Sequence, residues 1–456
     1  MKSVAIIGGG FAGLAAGVEL AARGVPVTVL EARARLGGRA YSFRDDDSGE
    51  VVDNGQHALM GCYTHTLAFL DRIGALDKVV RQPNLRVEMI DARRGAGVIA
   101  ATALPSPLHM LGGVLGYGLL SRAERLRALL GGMWLMAMRQ RRDPRLAELT
   151  VEQLLIALGQ SANARTSFWY PVAIATLNET PDRAAAAPFA EVLARAFFGS
   201  RSGSQFVLPR VGLSDLYVDD ARRFIEARGG RVEVRAAIAK LRIEQGRVTA
   251  VRLRDGQEIE ADAVISTVPP QALRLFAPGA LRDIADFESS PIVSTHLWFD
   301  RAVMQRDFIG LLGTTTQFVF NRSKLTASGN GHRSGNDRQC VSAVISAGRE
   351  VAAWESTRIA DTVVADIGAL LPGARAAQLL RSVVVKEKHA TISITPDAER
   401  ARPPMETAIS NFLLAGDWTQ TGLPPTIESA VLSGQRAAQW IAAHRQDAGA
   451  TTARRP

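Results

Sequence analysis

Apolar and polar positions in this chain switch repeatedly between two periods. Val4-Ala5-Ile6-Ile7 is an unbroken apolar run rich in β-branched residues, the pattern of a strand buried on both faces. Three glycines follow. Phe11 to Arg23 is then alanine-rich and apolar at helical spacing, and after Gly24 a second apolar run, Val27-Thr28-Val29-Leu30, ends on Glu31. The pattern predicts strand, turn, helix, turn, strand. Further along, Ser121-Arg-Ala-Glu124 places a capping box before a helix to about Arg139, and Thr150-Val-Glu-Gln153 opens another to about Leu158. A helix through Phe224 stops at Gly229-Gly230, and strands at 239–244 and 248–253 flank a turn at Gly246. Shorter strands are expected at 50–53 and 262–266. Residues 271–402 read as mixed strands and helices, with a polar, exposed loop at 329–336. The last pattern is a strand ending at Ala415, a turn at Gly416-Asp417, and a long helix opening near Thr426.

Residues 104–142 are the most apolar stretch. Leu104 to Leu120 carries no formal charge with His109 neutral, and it approaches the length of a bilayer span. Two prolines, four glycines and the cap at Ser121 interrupt it, which argues against a spanning helix. Two readings remain: an interfacial or tunnel-forming region backed by Arg139, Arg141 and Arg142, or a buried helical pair. Both give an apolar cavity. Phe168-Trp169-Tyr170-Pro171 reads as an aromatic core cluster.

Composition narrows the class. At 456 residues, 47% hydrophobic and 22% charged, the chain is long enough for two ordered domains. The formal charge of +9 has no nucleic-acid recognition motif beside it. An anionic membrane surface, a phosphorylated ligand and general arginine richness explain it equally well. The two cysteines, Cys62 and Cys340, cannot form a disulfide framework and read as small core residues in a reducing compartment. The first strand starts at Val4, leaving no room for a signal peptide, so a cytoplasmic protein is expected. The seven histidines are scattered and no C-x-x-C occurs, so no metal site is expected.

Gly8-Gly9-Gly10-Phe11-Ala12-Gly13 supplies candidate chemistry. It is G-x-G-x-x-G between a strand and a helix, the dinucleotide-binding arrangement. Gly8 allows the tight turn, Gly10 lets a pyrophosphate approach, and Gly13 lets the helix pack on the strand. The helix N-terminus offers free N–H groups to phosphate, and Glu31 is placed for a ribose diol.

Glu31-Ala32-Arg33 followed by Gly37-Gly38-Arg39 resembles the flavoprotein superfamily of amine oxidases, protoporphyrinogen oxidase and carotenoid desaturases. The C-terminal Gly416-Asp417 and Thr426-Ile427-Glu428 resemble its carotenoid-desaturase branch. The resemblance implies FAD, with Arg33 and Arg39 on ribose and phosphate oxygens, Val234 at the adenine, Asp417 on the ribityl chain, and the helix start at Ile427 and Glu428 aimed at the flavin. Gly55 and Gln56 would then touch the ring. His57 would sit beside it or remain a loop histidine bonded to backbone. Asp53 to Tyr63, Leu177 to Pro181 and the Pro209 to Gly212 passage are similar to the hydroxysqualene dehydroxylase family of bacterial hopanoid synthesis. That likeness implies an α/β fold: a discontinuous Rossmann-type FAD-binding domain (1–75, 205–270, 405–445), a mixed α+β substrate domain (76–204, 271–404), and a flexible tail at 446–456. It implies hydroxysqualene as substrate and squalene as product. His57 is then the candidate acid, with Glu428 and Asp215 as weaker ones. Hand-off from a squalene-synthase-like enzyme, a nicotinamide or reductase as electron donor, and peripheral contact with the inner face of the cytoplasmic membrane are further expectations. Phytoene desaturation and a flavin-free isoprenoid carrier are the alternatives. An amine oxidase fits less well, because Thr426 stands where that family carries an aromatic.

Overall fold

The structure is a computed structural model that describes residues 3–277, 284–327 and 338–452, of Ala327 and 445–452 the backbone alone. The polar loop expected at 329–336 falls outside the described residues.

Five short parallel strands form the first sheet. Val4–Ile7 lies at its centre, Val27–Leu30 and Arg231–Glu233 to one side, Ala263–Ser266 and Phe412–Leu414 to the other. Its apolar runs are buried on both faces, as a helix-covered parallel sheet requires. The helix Phe11–Ala22 follows the first strand as the spacing predicts, and Ile427–Thr452 packs against it. The approach is close. A Cβ on Gly434 would stand 2.1 Å from the Ala12 carbonyl oxygen, and one on Gly13 would stand 1.9 Å from that of Gly8. The last helix runs through residue 452, so the tail expected from 446 continues the helix over its first seven residues.

A seven-stranded, mostly antiparallel sheet forms the second layer, in the order Leu379–Ile392, Ser289–Phe299, Gln339–Ile345, Phe318–Asn321, Phe308–Leu312, Arg86–Asp91, Gly95–Ala100. The helix Ser356–Leu370 covers one face of this sheet with Ile359, Val363 and Ile367. Helices Arg122–Gln140, Val151–Ala157, Tyr170–Leu177 and Ala186–Ala196 make a helical lobe between 104 and 198. Both expected capping boxes are present, Ser121 with Glu124 and Thr150 with Gln153. The apolar 104–120 passage is broken into short turns at Leu108–Met110 and Leu111–Leu115. Among the described residues no helix is long and apolar enough to cross a membrane.

Buried polar links join the layers. Asp53 accepts from Ser42 Oγ (2.7 Å) and Leu213 N–H (2.9 Å), and it pairs with the buried Arg322 at 2.9 Å. Its carbonyl accepts from His296 Nε2 at 2.9 Å, and burial beside Arg322 pulls that imidazole down to about 4. Asn178 is held left-handed at φ 49°. It reaches the Ser290 carbonyl, Thr391 Oγ1 and the Ala347 N–H, each within 2.9 Å. Its neighbour Glu179 is fully buried and paired with Arg349 at 2.5 Å. The Leu177–Pro181 stretch is therefore the joint between the helical lobe and the large sheet.

Candidate active site

One cavity of about 840 Å³ runs from the glycine turn into the helical lobe. That volume lies in the range of ligand sites. At one end Gly8, Gly10, Phe11 and Ala12 form its wall. Gly10 takes the N-cap position of the first helix, and no side chain caps it. Its leading N–H groups are thus left for an anion. The second glycine turn comes up opposite: a Cβ on Gly38 would stand 3.1 Å from Gly10 Cα. Tyr217 pins that turn, its hydroxyl donating to the Gly37 and Ala40 carbonyls at 2.9 and 3.1 Å while its ring stacks on Phe11 at 3.7 Å.

Glu31 lines this end beside Ala32 and Arg33. One oxygen accepts from Gly9 N–H at 2.8 Å and the other from Arg33 N–H at 2.9 Å. The carboxylate braces the turn first, and lone pairs remain for a diol. Arg39 is ion-paired with Asp417 and also donates to the Ala390 carbonyl at 3.1 Å. Both residues line the cavity, as do Gly37 and Gly416. Thr426 and Ile427 line it at the start of the last helix, where Thr426 Oγ1 accepts from Ser429 N–H at 3.4 Å. The first amides of that helix have no intrahelical acceptor.

Gly55, Gln56 and His57 lie further along the same wall. Gln56 Oε1 is a buried acceptor with no hydrogen-bond partner among the described residues. His57 Nδ1 lies 2.8 Å from the Gly55 carbonyl, which can only accept, so the neutral ring carries its proton there and presents a bare Nε2. Burial depresses its pKa, partly offset by the Gly55 bond and the charges of Asp53 and Glu387. His57 thus bonds to backbone, as one of its two sequence readings expected, and it also lines the cavity.

Four expected positions sit elsewhere. Glu428 turns away from the cavity, its carboxylate accepting from His65 N–H (2.9 Å), Thr66 N–H (2.8 Å) and Thr66 Oγ1 (2.7 Å). It caps the helix Thr64–Arg72 with both oxygens engaged away from the cavity, so its candidacy as an acid is corrected. Asp215 is exposed in the first turn of Leu213–Glu226, off the cavity, and is corrected likewise. Val234 follows the strand Arg231–Glu233 at the sheet edge, and Gly13 lies behind the turn; neither lines the cavity.

Other residues at or behind the cavity wall gave no signal in sequence. Glu387, on the strand Leu379–Ile392, faces the cavity and accepts from Asn54 Nδ2 at 3.3 Å. Tyr63 lines it too, hydrogen-bonded to Thr426. Arg402, with no exposed side-chain surface, reaches the carbonyls of Asp417 (2.8 Å) and Leu423 (2.7 Å) and pairs with Glu399. It holds the turn that presents Asp417 and Thr426. The far end of the cavity is apolar, with Leu126, Leu129, Leu130, Met133 and Phe198. Phe168 and Trp169 also line it, so the aromatic cluster is both core and wall.

The donors, the paired glycine turns and the free helix ends suit FAD. Comparison with known proteins agrees. Residues 11–442 match the family described as flavin containing amine oxidoreductase. A hydroxysqualene dehydroxylase from Sinorhizobium fredii is 28% identical over 96% of this chain and 97% of its own. A 15-cis-phytoene desaturase from Synechococcus elongatus is 24% identical over 99% and 98%. The fold matches that of a putrescine oxidase solved with putrescine at a TM-score of 0.74 and 18% identity, covering 97% and 99%. The flavin-free carrier is set aside: the chain belongs to the flavin-containing amine oxidoreductase family and is an FAD-dependent oxidoreductase.

Proposed function

We propose that this enzyme acts on a long isoprenoid and removes the allylic hydroxyl of hydroxysqualene reductively to give squalene. The observation that carries this reading is one continuous cavity, polar at Gln56, His57 and Glu387 and apolar from there into the helical lobe. An isoprenoid chain fits the apolar part, and its one polar group meets the polar patch. The hydroxysqualene dehydroxylase relatives support the choice of substrate. Reduced FAD supplies a hydride. The protein's own part is to align the chain, exclude bulk water and protonate the departing oxygen. His57 Nε2 is the proton-bearing atom for that step.

The test is anaerobic incubation of FAD-loaded protein with hydroxysqualene and a chemical reductant, followed by product identification. Squalene is the expected product. A desaturated product from phytoene, with hydroxysqualene untouched, would replace the reading by desaturation. The His57→Ala enzyme should keep its FAD and lose about 10²- to 10⁴-fold in kcat. Full turnover in that variant would remove His57 from the reaction.

We also propose that the 104–142 face rests on an anionic bilayer. Leu126, Met133 and Trp134 are 57%, 55% and 58% exposed, and the first two also line the cavity. Arg122, Arg127, Arg141 and Arg142 are exposed beside them, without ion-pair partners among the described residues. Exposed apolar side chains with exposed cations on the same helix and its C-terminal turn suit anionic headgroups. Trp134→Glu, which leaves the cavity lining intact, should weaken sedimentation with phosphatidylglycerol-containing vesicles at least tenfold, an order-of-magnitude expectation, and spare turnover of detergent-dispersed substrate. Unchanged sedimentation would refute the contact.

A further inference from the structure

Besides Glu31 at the glycine turn, Asp417 and Glu387 line the cavity, and Asp53 precedes the lining residue Asn54. Asp53 is neutralised by Arg322 at 2.9 Å, and Asp417 is ion-paired with Arg39. Glu387 has no ion-pair partner among the described residues; its one hydrogen bond is from Asn54 Nδ2 at 3.3 Å. It projects from the long strand Leu379–Ile392, whereas His57 follows the turn after Val51–Asp53, so separate elements bring the two into one cavity. Asn54 ties these elements together, since its amide also donates to the Arg39 carbonyl at 2.8 Å.

We propose that Glu387 acts across the cavity on His57 as its anionic partner, keeping the imidazole charged long enough to give its proton to the departing hydroxyl. The inference rests on the dehydroxylation proposed above. An imidazole shielded from bulk water is hard to protonate, and a carboxylate nearby that is not held in an ion pair offsets that penalty. Asp53 raises the His57 pKa as well, ahead of Glu387, but it is buried and tied to Arg322; Arg39 and Asp417 are paired with each other. Burial does hold His57 below its ordinary range, and Glu387 is among the charges that raise it.

The step balances. The proton moves from His57 Nε2 to the hydroxyl oxygen, and the C–O bond breaks with its electron pair leaving on water. The allylic carbon takes up a hydride from reduced flavin, which is oxidised and needs an external two-electron donor before the next turnover. While the carbon is cationic, the Glu387 carboxylate is an anion on the wall of the same cavity with no ion-pair partner among the described residues. Glu387 is thus a positioning residue for the proton and an electrostatic partner for the cation.

The test compares Glu387→Gln and Glu387→Asp with wild type, each carrying FAD. In Glu387→Gln the His57 titration, followed by NMR with His57→Asn to assign it, should move down by about one pH unit, a tenfold change in proton affinity. The pH at which kcat falls should move with it, so turnover at pH 7 drops at least tenfold and recovers partly in acid. Glu387→Asp should restore part of both. Flavin absorbance per protein should stay at the wild-type value in all variants. An unmoved His57 titration in Glu387→Gln overturns the proposal, as does loss of bound FAD, which would make Glu387 a cofactor residue. If wild type fails to dehydroxylate hydroxysqualene, the substrate assignment falls, while the titration still decides the coupling.

Discussion

Replacing Arg402 by methionine should lower stability by about 3–5 kcal/mol and release most of the FAD. The side chain is fully buried, and its guanidinium serves the carbonyls of Asp417 and Leu423, the Thr421 and Ser429 hydroxyls, and the Glu399 carboxylate. Methionine fills much of the volume but supplies no donors. Two buried carbonyls and a carboxylate would be stranded, and an unsatisfied buried acceptor costs far more than a neutral hydrogen bond contributes. Burial already pushes Glu399 above the usual carboxylate range with Arg402 present. The effect on the cofactor follows from position, since these carbonyls fix the turn carrying Asp417 and leading to Thr426. Urea unfolding and the ratio of flavin to protein absorbance read the two consequences separately. A variant of near wild-type stability and full flavin content would show that the turn holds itself.

Asp53→Ala should destabilise the fold by a similar amount, about 3–5 kcal/mol, with flavin loss secondary. Arg322 and Asp53 are 7% and 2% exposed at the side chain, so removing the carboxylate leaves a buried guanidinium with no counter-charge. The same carboxylate accepts from Ser42 and Leu213, so the turn entering Leu213–Glu226 loosens as well. Asp53→Ala with Arg322→Met should recover part of the loss, because no orphaned charge then remains. Urea midpoints of the two single variants and the double variant measure the coupling. Additive losses would show that the pair does not act as a unit.

The parallel sheet and its cofactor turn were legible because local pattern and chemistry coincide there. Apolar runs of four residues bracket a glycine motif and a helix, and each feature demands the others. Gly37-Gly38-Arg39 and Gly416-Asp417 were legible as motifs, and the structure brings them to one wall. Glu428 shows the limit. As the second residue of a helix it reads as an acid at a cofactor, but its carboxylate caps a helix 362 positions away in sequence. Only the fold shows which way it turns. Glu387 lies in an alternating strand where one charge among Lys386, Lys388 and His389 looks like any solvated position. Arg402 sits in a run of charged residues and gave no hint of complete burial. Both matter because of what is packed against them, and one sequence does not carry that.

The close seat of Gly434 on Ala12 bears on how the protein comes to exist. The first strand emerges early in synthesis, yet its neighbour Ala263–Ser266 arrives some 250 residues later, and Phe412–Leu414 later still. At about 5–20 residues per second the ribosome leaves the nascent N-terminal half without its sheet for on the order of ten seconds or more. Over that interval the apolar 104–142 passage has been made, while the Gly416-Asp417 turn that lines the same cavity has not. The cavity wall is thus completed only when the last helix docks against the first.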